Sequence, residues 1–255
     1  AYTARSLVGM IRNCGLLPAG ATGADANSDE MLEAYELYRS RDGSPDSERA
    51  LRFRSRNLAT MPAIKFLGVW DTVGALGIPV ESFEEFNKEA FQFHDTELSG
   101  IVQNAYHAVA VDEHRKPYAA TMWLPKKKID QVMEQRWFIG AHCDVGGGYE
   151  DRRLSDIALA WIMDQAKACG LVLDPACRPK VKLDDNAHGP LTDSFSNFLH
   201  GAFKLFEKRY YRDVCLSEFG QEVVDASVAK RCREDNTYRP GNRGLNEAVQ
   251  KLLGG

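Results

Sequence analysis
Residues Trp137 to Tyr149 read WFIGAHCDVGGGY, a short apolar run that stops at a histidine and continues into an aspartate and three glycines. Trp137, Phe138 and Ile139 are strand formers bounded by a turn signal. Gly140, Ala141 and the Gly146 to Gly148 run leave little side-chain bulk around His142, so the pattern places an imidazole at a sheet edge, open to a substrate. A helix pattern follows from Ser155 as cap to Gly170 as stop, with Ile157, Ala160, Trp161 and Met163 as its core. Strand, histidine loop and helix is the order in which an α/β enzyme presents a reacting group at the carboxyl ends of its strands.

Upstream, Ala63 to Trp70 (AIKFLGVW) has the continuous apolar character of a buried strand. It ends directly at Asp71-Thr72, before Gly74 and the Gly77-Ile78-Pro79 turn, and is the second strand to end on an ionisable group. Ala4, Leu7, Val8 and Ile11 recur at helical spacing until Cys14-Gly15 and Pro18. That helix begins without a capping residue, which implies a segment upstream of Ala1. Ser28, Asp29 and Glu30 open a second helix with Met31, Ala34, Tyr35 and Tyr38 as its apolar face. Residues 49 to 58 carry four arginines and suit a solvated helical face better than an anion site.

The spacing of Ile101, Val102, Ala105, Ala108 and Val109 predicts a helix over Ser99 to Asp112, and Tyr118 to Leu124 predicts a strand. Phe195, Phe198, Leu199, Ala202 and Phe206 suit an amphipathic helix packed on the core, a lid or lipid-contacting helix being the alternative. Residues 207 to 255 are charged and irregular in pattern. The chain therefore divides into a core over residues 1–171 and a loop-rich helical extension or cap over 172–255, packed on the same domain.

A chain of 255 residues, 44% hydrophobic and 27% charged, is long enough for a substantial core and has the composition of a soluble globular protein. Its net charge of -4 gives no reason to expect a nucleic-acid partner, and Lys126 to Lys128 suits a solvated loop. Six cysteines lack C-x-x-C pairs, which points to reduced, mostly buried thiols and away from a zinc ribbon or disulfide scaffold. No apolar run approaches the roughly 18 residues of a membrane span, and residues 1 to 20 lack signal-peptide features. A cytoplasmic protein, or one exported without a signal peptide, is the expectation.

A buried aspartate bonded to a histidine fixes the ring's tautomer and lets it deprotonate a nucleophile. Asp71 and His142 are placed for these roles, in the acid-then-base order of an α/β-hydrolase, although a strand-end aspartate can equally be a turn cap and a histidine structural. No serine sits in a G-x-S-x-G elbow: Ser6 falls inside the first helix, Ser99 and Ser155 have the setting of caps, and Ser194 and Ser196 lie in the loop-rich part. His142, Asp144 and Asp151 can be drawn as a metal site, though an Asp144 that orients the loop explains the same residues. Gly146 to Gly148 can be drawn as a phosphate cradle, but the lysine of a P-loop is absent. His94, His107 and His114 rank as structural, and no cofactor or metal is called for.

Four segments carry a resemblance: AYTARSLVGMIRNCGLL from Ala1, FLGVWDTVGALGIP from Phe66, FHDTELSGIVQNAYHAVAVDEHRKPY from Phe93, and WFIGAHCDVGGGYEDRRLSDIAL from Trp137. Together they resemble the type VI secretion phospholipase-effector catalytic-domain family, an α/β-hydrolase family. The resemblance implies a mostly parallel sheet flanked by helices, with Asp71 as triad acid and His142 as base. In such proteins the serine elbow immediately precedes the segment matched by Ala1 to Arg5, so the expectation is a chain lacking its amino-terminal strands and elbow, and inactive alone. The resemblance further implies a phospholipid or other ester substrate, transient membrane-surface contact, and a secretion-apparatus or immunity protein as partner. The competing expectations are a non-catalytic interaction module, or degenerate fragment, and a metal-dependent hydrolase.

Overall fold
The computed structural model describes residues 1–18, 28–40, 44–74, 97–124, 129–216 and 221–254. Four apolar segments pair in chain order into a parallel sheet: β1 (Leu67–Trp70), β2 (Asn104–Ala110), β3 (Val132–Phe138) and β4 (Glu222–Val224). The register sets Trp70 beside Ala108, Ala110 beside Phe138, and Trp137 beside Val224. Around the sheet lie α1 (Tyr2–Cys14), α2 (Ser28–Arg39), α3 (Glu48–Arg56), α4 (His142–Gly146), α5 (Arg153–Ala168), α6 (Leu183–Asn186), α7 (Ser194–Asn197), α8 (Ala226–Glu234) and α9 (Leu245–Gly254). The architecture is α/β, as the strand and helix patterns imply.

Side chains alternate across a strand, so β2 serves two cores. Tyr106, Ala108 and Ala110 pack with Phe138 against Ile157, Ala158, Trp161 and Ile162 of α5. On the opposite face, Ala105 joins Leu67, Val69, Met133 and Val8 of α1, while Val109 joins Trp137, Val224 and the helices α8 and α9. Helices thus cover both faces, and the polar strand ends are left at the rim.

The expected helix over Ser99 to Asp112 is instead β2 with its flanking turns. A central parallel strand is buried on both faces and yields an unbroken apolar run, in which i, i+3, i+4 matches arise by chance. Tyr118 to Leu124 is not a strand: Lys116–Tyr118 is a 3-10 turn, and the backbone of Trp123 bonds to the Gln135 side chain at 2.8 and 3.1 Å rather than to a neighbouring strand. Ser155 lies inside α5 and donates to the Arg152 carbonyl at 3.2 Å, one turn from where a cap would sit. Residues 195–206 form α7 and a 3-10 segment, Phe198–Leu205, rather than one helix.

The tail beyond 207 is more ordered than its pattern suggests, holding β4, α8 and α9. On α2 the buried positions are Ala34 and Leu37, with Met31 and Tyr35 exposed. Ala50 and Phe53 anchor α3 while Arg49, Arg52 and Arg56 are exposed. The six cysteines are free, and only Cys14 is buried, Cys177 being exposed and the others half-buried. Gly77 to Pro79, His94 and Lys126 to Lys128 lie outside the described residues. Among the described residues, no helix is long and apolar enough to cross a membrane.

Candidate active site
Because the strands are parallel, β1, β2 and β3 deliver the residues that follow them to one end of the sheet. Asp71 follows β1 in a left-handed conformation (φ 34°) that aspartate tolerates better than most residues. Its N–H donates to the Ala108 carbonyl at 2.7 Å, and the Ala110 N–H donates to its Oδ1 at 2.9 Å, so β2 holds both its backbone and its side chain.

After β3 the chain turns at Gly140, whose φ of 111° suits glycine. A Cβ there would meet the Asp144 Cβ at 2.4 Å. The turn is fixed by Asp112, which accepts from the Gly140 N–H at 2.8 Å, and by Asp144, which accepts from the Ala141 N–H at 2.9 Å. His142 is thereby the first residue of the five-residue helix α4, not part of an open loop.

The structure brings Asp71 and His142 together, with His142 Nδ1 2.7 Å from Asp71 Oδ2. An ionised carboxylate can only accept, so Nδ1 carries the proton and Nε2 keeps its lone pair. The Asp71 side chain is fully buried and that of His142 is 29% exposed, a covered acid behind a reachable base. Burial pushes the Asp71 carboxyl upward, but the Arg212 guanidinium and the His142 hydrogen bond outweigh it and hold Asp71 well below the usual carboxylate range. Arg212 Nη1 lies 2.6 Å from Oδ1 and Nη2 3.1 Å from Oδ2.

A second buried carboxylate backs the histidine. Glu113, which follows β2, accepts from Arg115 Nε at 2.8 Å and Nη2 at 2.7 Å, from Ser194 Oγ, and from the His142 N–H at 3.3 Å. Burial raises the Glu113 carboxyl, and the bonds from Arg115 more than reverse that. The Arg115 guanidinium lies 3.6 Å over the Tyr118 ring, which stands edge-on to His142 at 5.5 Å. Among the described residues no serine hydroxyl or cysteine thiol is hydrogen-bonded to the His142 ring. Ser194 is committed to Glu113, and burial keeps the Cys143 thiol protonated, its pKa raised despite Arg115.

The remaining sequence candidates are elsewhere employed. Asp144 accepts from the Thr192 N–H at 3.1 Å and hydroxyl at 2.9 Å, which makes it a clamp on the α4 turn. Among the described residues no group of three or more His, Cys, Asp or Glu is arranged to hold a metal ion. Gly147 and Gly148 have positive φ and follow α4. His107, in β2 and not in a helix, accepts from the Thr72 N–H at 3.0 Å and supports the Asp71 turn from below. His114 Nδ1 pairs with the Tyr210 carbonyl. Arg212, Glu113, Arg115 and Tyr118 were not singled out from the sequence. Glu113 and Arg115 lie in a quoted segment, but charged residues in a turn carry no signal of burial.

A search of curated proteins and a search of solved structures each give no match. The family described as "T6SS, Phospholipase effector Tle1-like, catalytic domain" matches residues 1–165, which takes in Asp71 and His142 and stops short of Arg212. Since that match covers well over half of the 255 residues, the chain belongs to the type VI secretion Tle1-like phospholipase effector catalytic-domain family.

Proposed function
We propose that Asp71 and His142 are the acid and base of a serine-type phospholipase, the nucleophilic serine being supplied from the amino-terminal side of Ala1. The observation that carries this reading is the 2.7 Å contact between a reachable imidazole and a buried, arginine-paired carboxylate at one end of a parallel sheet. In the mechanism His142 Nε2 takes the serine proton as the oxygen attacks the ester carbonyl, then returns it to the departing alcohol. Water activated by the same nitrogen releases the acyl group.

The start of α1 is tied to this region. Arg5 Nη1 donates to the Thr121 carbonyl at 2.6 Å, and the Thr121 N–H donates to the carbonyl of Thr72, the residue after Asp71, at 2.7 Å. The first turns of α1 are thereby linked to the Asp71 turn through Thr121. The substrate is a phospholipid, met at a membrane surface by transient contact, and an immunity protein is the expected partner. Residues 172–255 act as an extension packed on the same domain, contributing Arg212 to the site.

A fluorophosphonate probe, which labels only activated serines, tests the reading. The 255-residue chain should remain unlabelled. The same chain joined in frame to its upstream coding segment should label, and His142→Ala should abolish that labelling. Labelling that persists in His142→Ala would remove His142 as the base, and a longer chain that does not label at all would favour a non-catalytic interaction module.

A further inference from the structure
Arg212 reaches the strand ends from outside the residues that the family match covers. It sits in an extended stretch after the Phe198–Leu205 turn, and that stretch is bolted in place. The Tyr210 N–H donates to the His114 carbonyl at 2.9 Å, the Asn242 amide donates to the Arg212 and Val111 carbonyls at 3.0 and 3.1 Å, and the Val214 N–H donates to Arg243 at 2.9 Å. The side chain is nearly fully buried. Its fork is used on both sides: Nη1 serves Asp71 Oδ1 and the Ala110 carbonyl at 2.7 Å, while Nη2 serves Asp71 Oδ2 and the Tyr118 carbonyl.

A carboxylate held by one hydrogen bond rotates about its Cβ–Cγ axis, and one held by a planar fork does not. With Oδ1 shared between Arg212 and the Ala110 N–H, Oδ2 is left facing His142 Nδ1. We infer that Arg212 is a positioning residue for the acid–base pair: it fixes the plane of the Asp71 carboxylate and offsets part of its charge at the imidazole. This rests on the reading of Asp71 and His142 as acid and base. Of the groups facing the pair, Glu113 is already neutralised by Arg115, and His107 is held neutral by burial. Cys143 carries a protonated thiol and Tyr118 presents only its ring edge to His142. Arg212 is therefore the cation that acts directly on Asp71.

The consequence separates two substitutions. Arg212→Lys keeps a positive charge but loses the fork, and Arg212→Met loses both. Nitrogen-edited NMR of histidine-labelled 255-residue chain reads the site without turnover, with His142→Gln assigning the resonance. In the unsubstituted chain the His142 Nδ1 proton should give a downfield, exchange-protected signal. Arg212→Lys should broaden that signal, because a single ammonium cannot hold both carboxylate oxygens as the planar fork does. Arg212→Met should abolish that signal, because the Asp71 carboxylate then loses the fork that fixes its plane.

An Arg212→Lys chain that keeps the protected signal unchanged overturns the inference, as does a folded Arg212→Met chain that keeps it. If Arg212→Met fails to fold, the Arg212→Lys signal alone decides. Because these readouts need no nucleophile, an absence of ester hydrolysis by the chain joined to its upstream coding segment would count against the phospholipase reading and leave the Arg212 readout interpretable by itself.

Discussion
The Asp71 carboxylate is shared among His142, Arg212 and the Ala110 N–H, and of these four residues only His142 is reachable by water. Asp71→Asn keeps the shape and removes the charge. In a hydrolysis-competent chain it is expected to lower kcat by about three to four orders of magnitude, since the imidazole loses both its tautomer lock and its counter-charge. The same change strands the Arg212 guanidinium and should cost about 3 to 5 kcal/mol in urea unfolding. The pH dependence follows from the direction of the Asp71 shift. A carboxyl depressed in the folded state contributes stability that is complete above its unfolded value of about 3.9 and is lost as pH falls below it. Acid unfolding below about pH 4 should therefore be less steep in Asp71→Asn than in the unsubstituted chain. Asp71 and His142 were legible because each closes an apolar strand. Arg212 was not, because nothing in the sequence connects position 212 to position 71 except the folded chain.

At the scale of elements, β2 and the turn from β3 into α4 position the pair. β2 was misread because its burial on both faces erases the two-residue period, and only the topology distinguishes it from a helix. Its His107 is kept neutral by burial first and by Arg5 second, with its pKa lowered to about 3. The unfolded chain binds that proton near pH 6.5 while the folded one refuses it, so stability falls as pH drops through this window. Between pH 7 and pH 5 the unsubstituted chain should lose about 2 kcal/mol more than His107→Gln in urea unfolding. Equal losses would mean that His107 takes up a proton in the folded state. The glycines after Phe138 were legible as a turn that frees His142, but not the contact that requires Gly140. Gly140→Ala should destabilise the chain by more than about 2 kcal/mol, through both φ and collision with Asp144, as read by its melting temperature.

The whole molecule joins its two ends through the sheet. The α1 helix is tied to Thr121 and so to the Asp71 turn, and the tail returns to pair β4 with β3 and to place Arg212 on Asp71. The α/β class was visible in the alternation of apolar strands and periodic helices. The role of the tail was hidden, because β4 has only three residues and the arm that carries Arg212 has no periodic pattern. A chain ending at residue 171 would expose the β3 edge and leave Val109, Trp137 and Ile139 without α8 and α9. It should show no cooperative thermal transition, and cooperative melting would mean that the core stands without its extension. The most direct measurement is fatty-acid release from phosphatidylethanolamine and phosphatidylglycerol vesicles by the chain joined to its upstream coding segment, with and without His142→Ala. Release is expected, and His142→Ala should lower its rate by at least about three orders of magnitude. Release at an undiminished rate in His142→Ala would contradict His142 as the base.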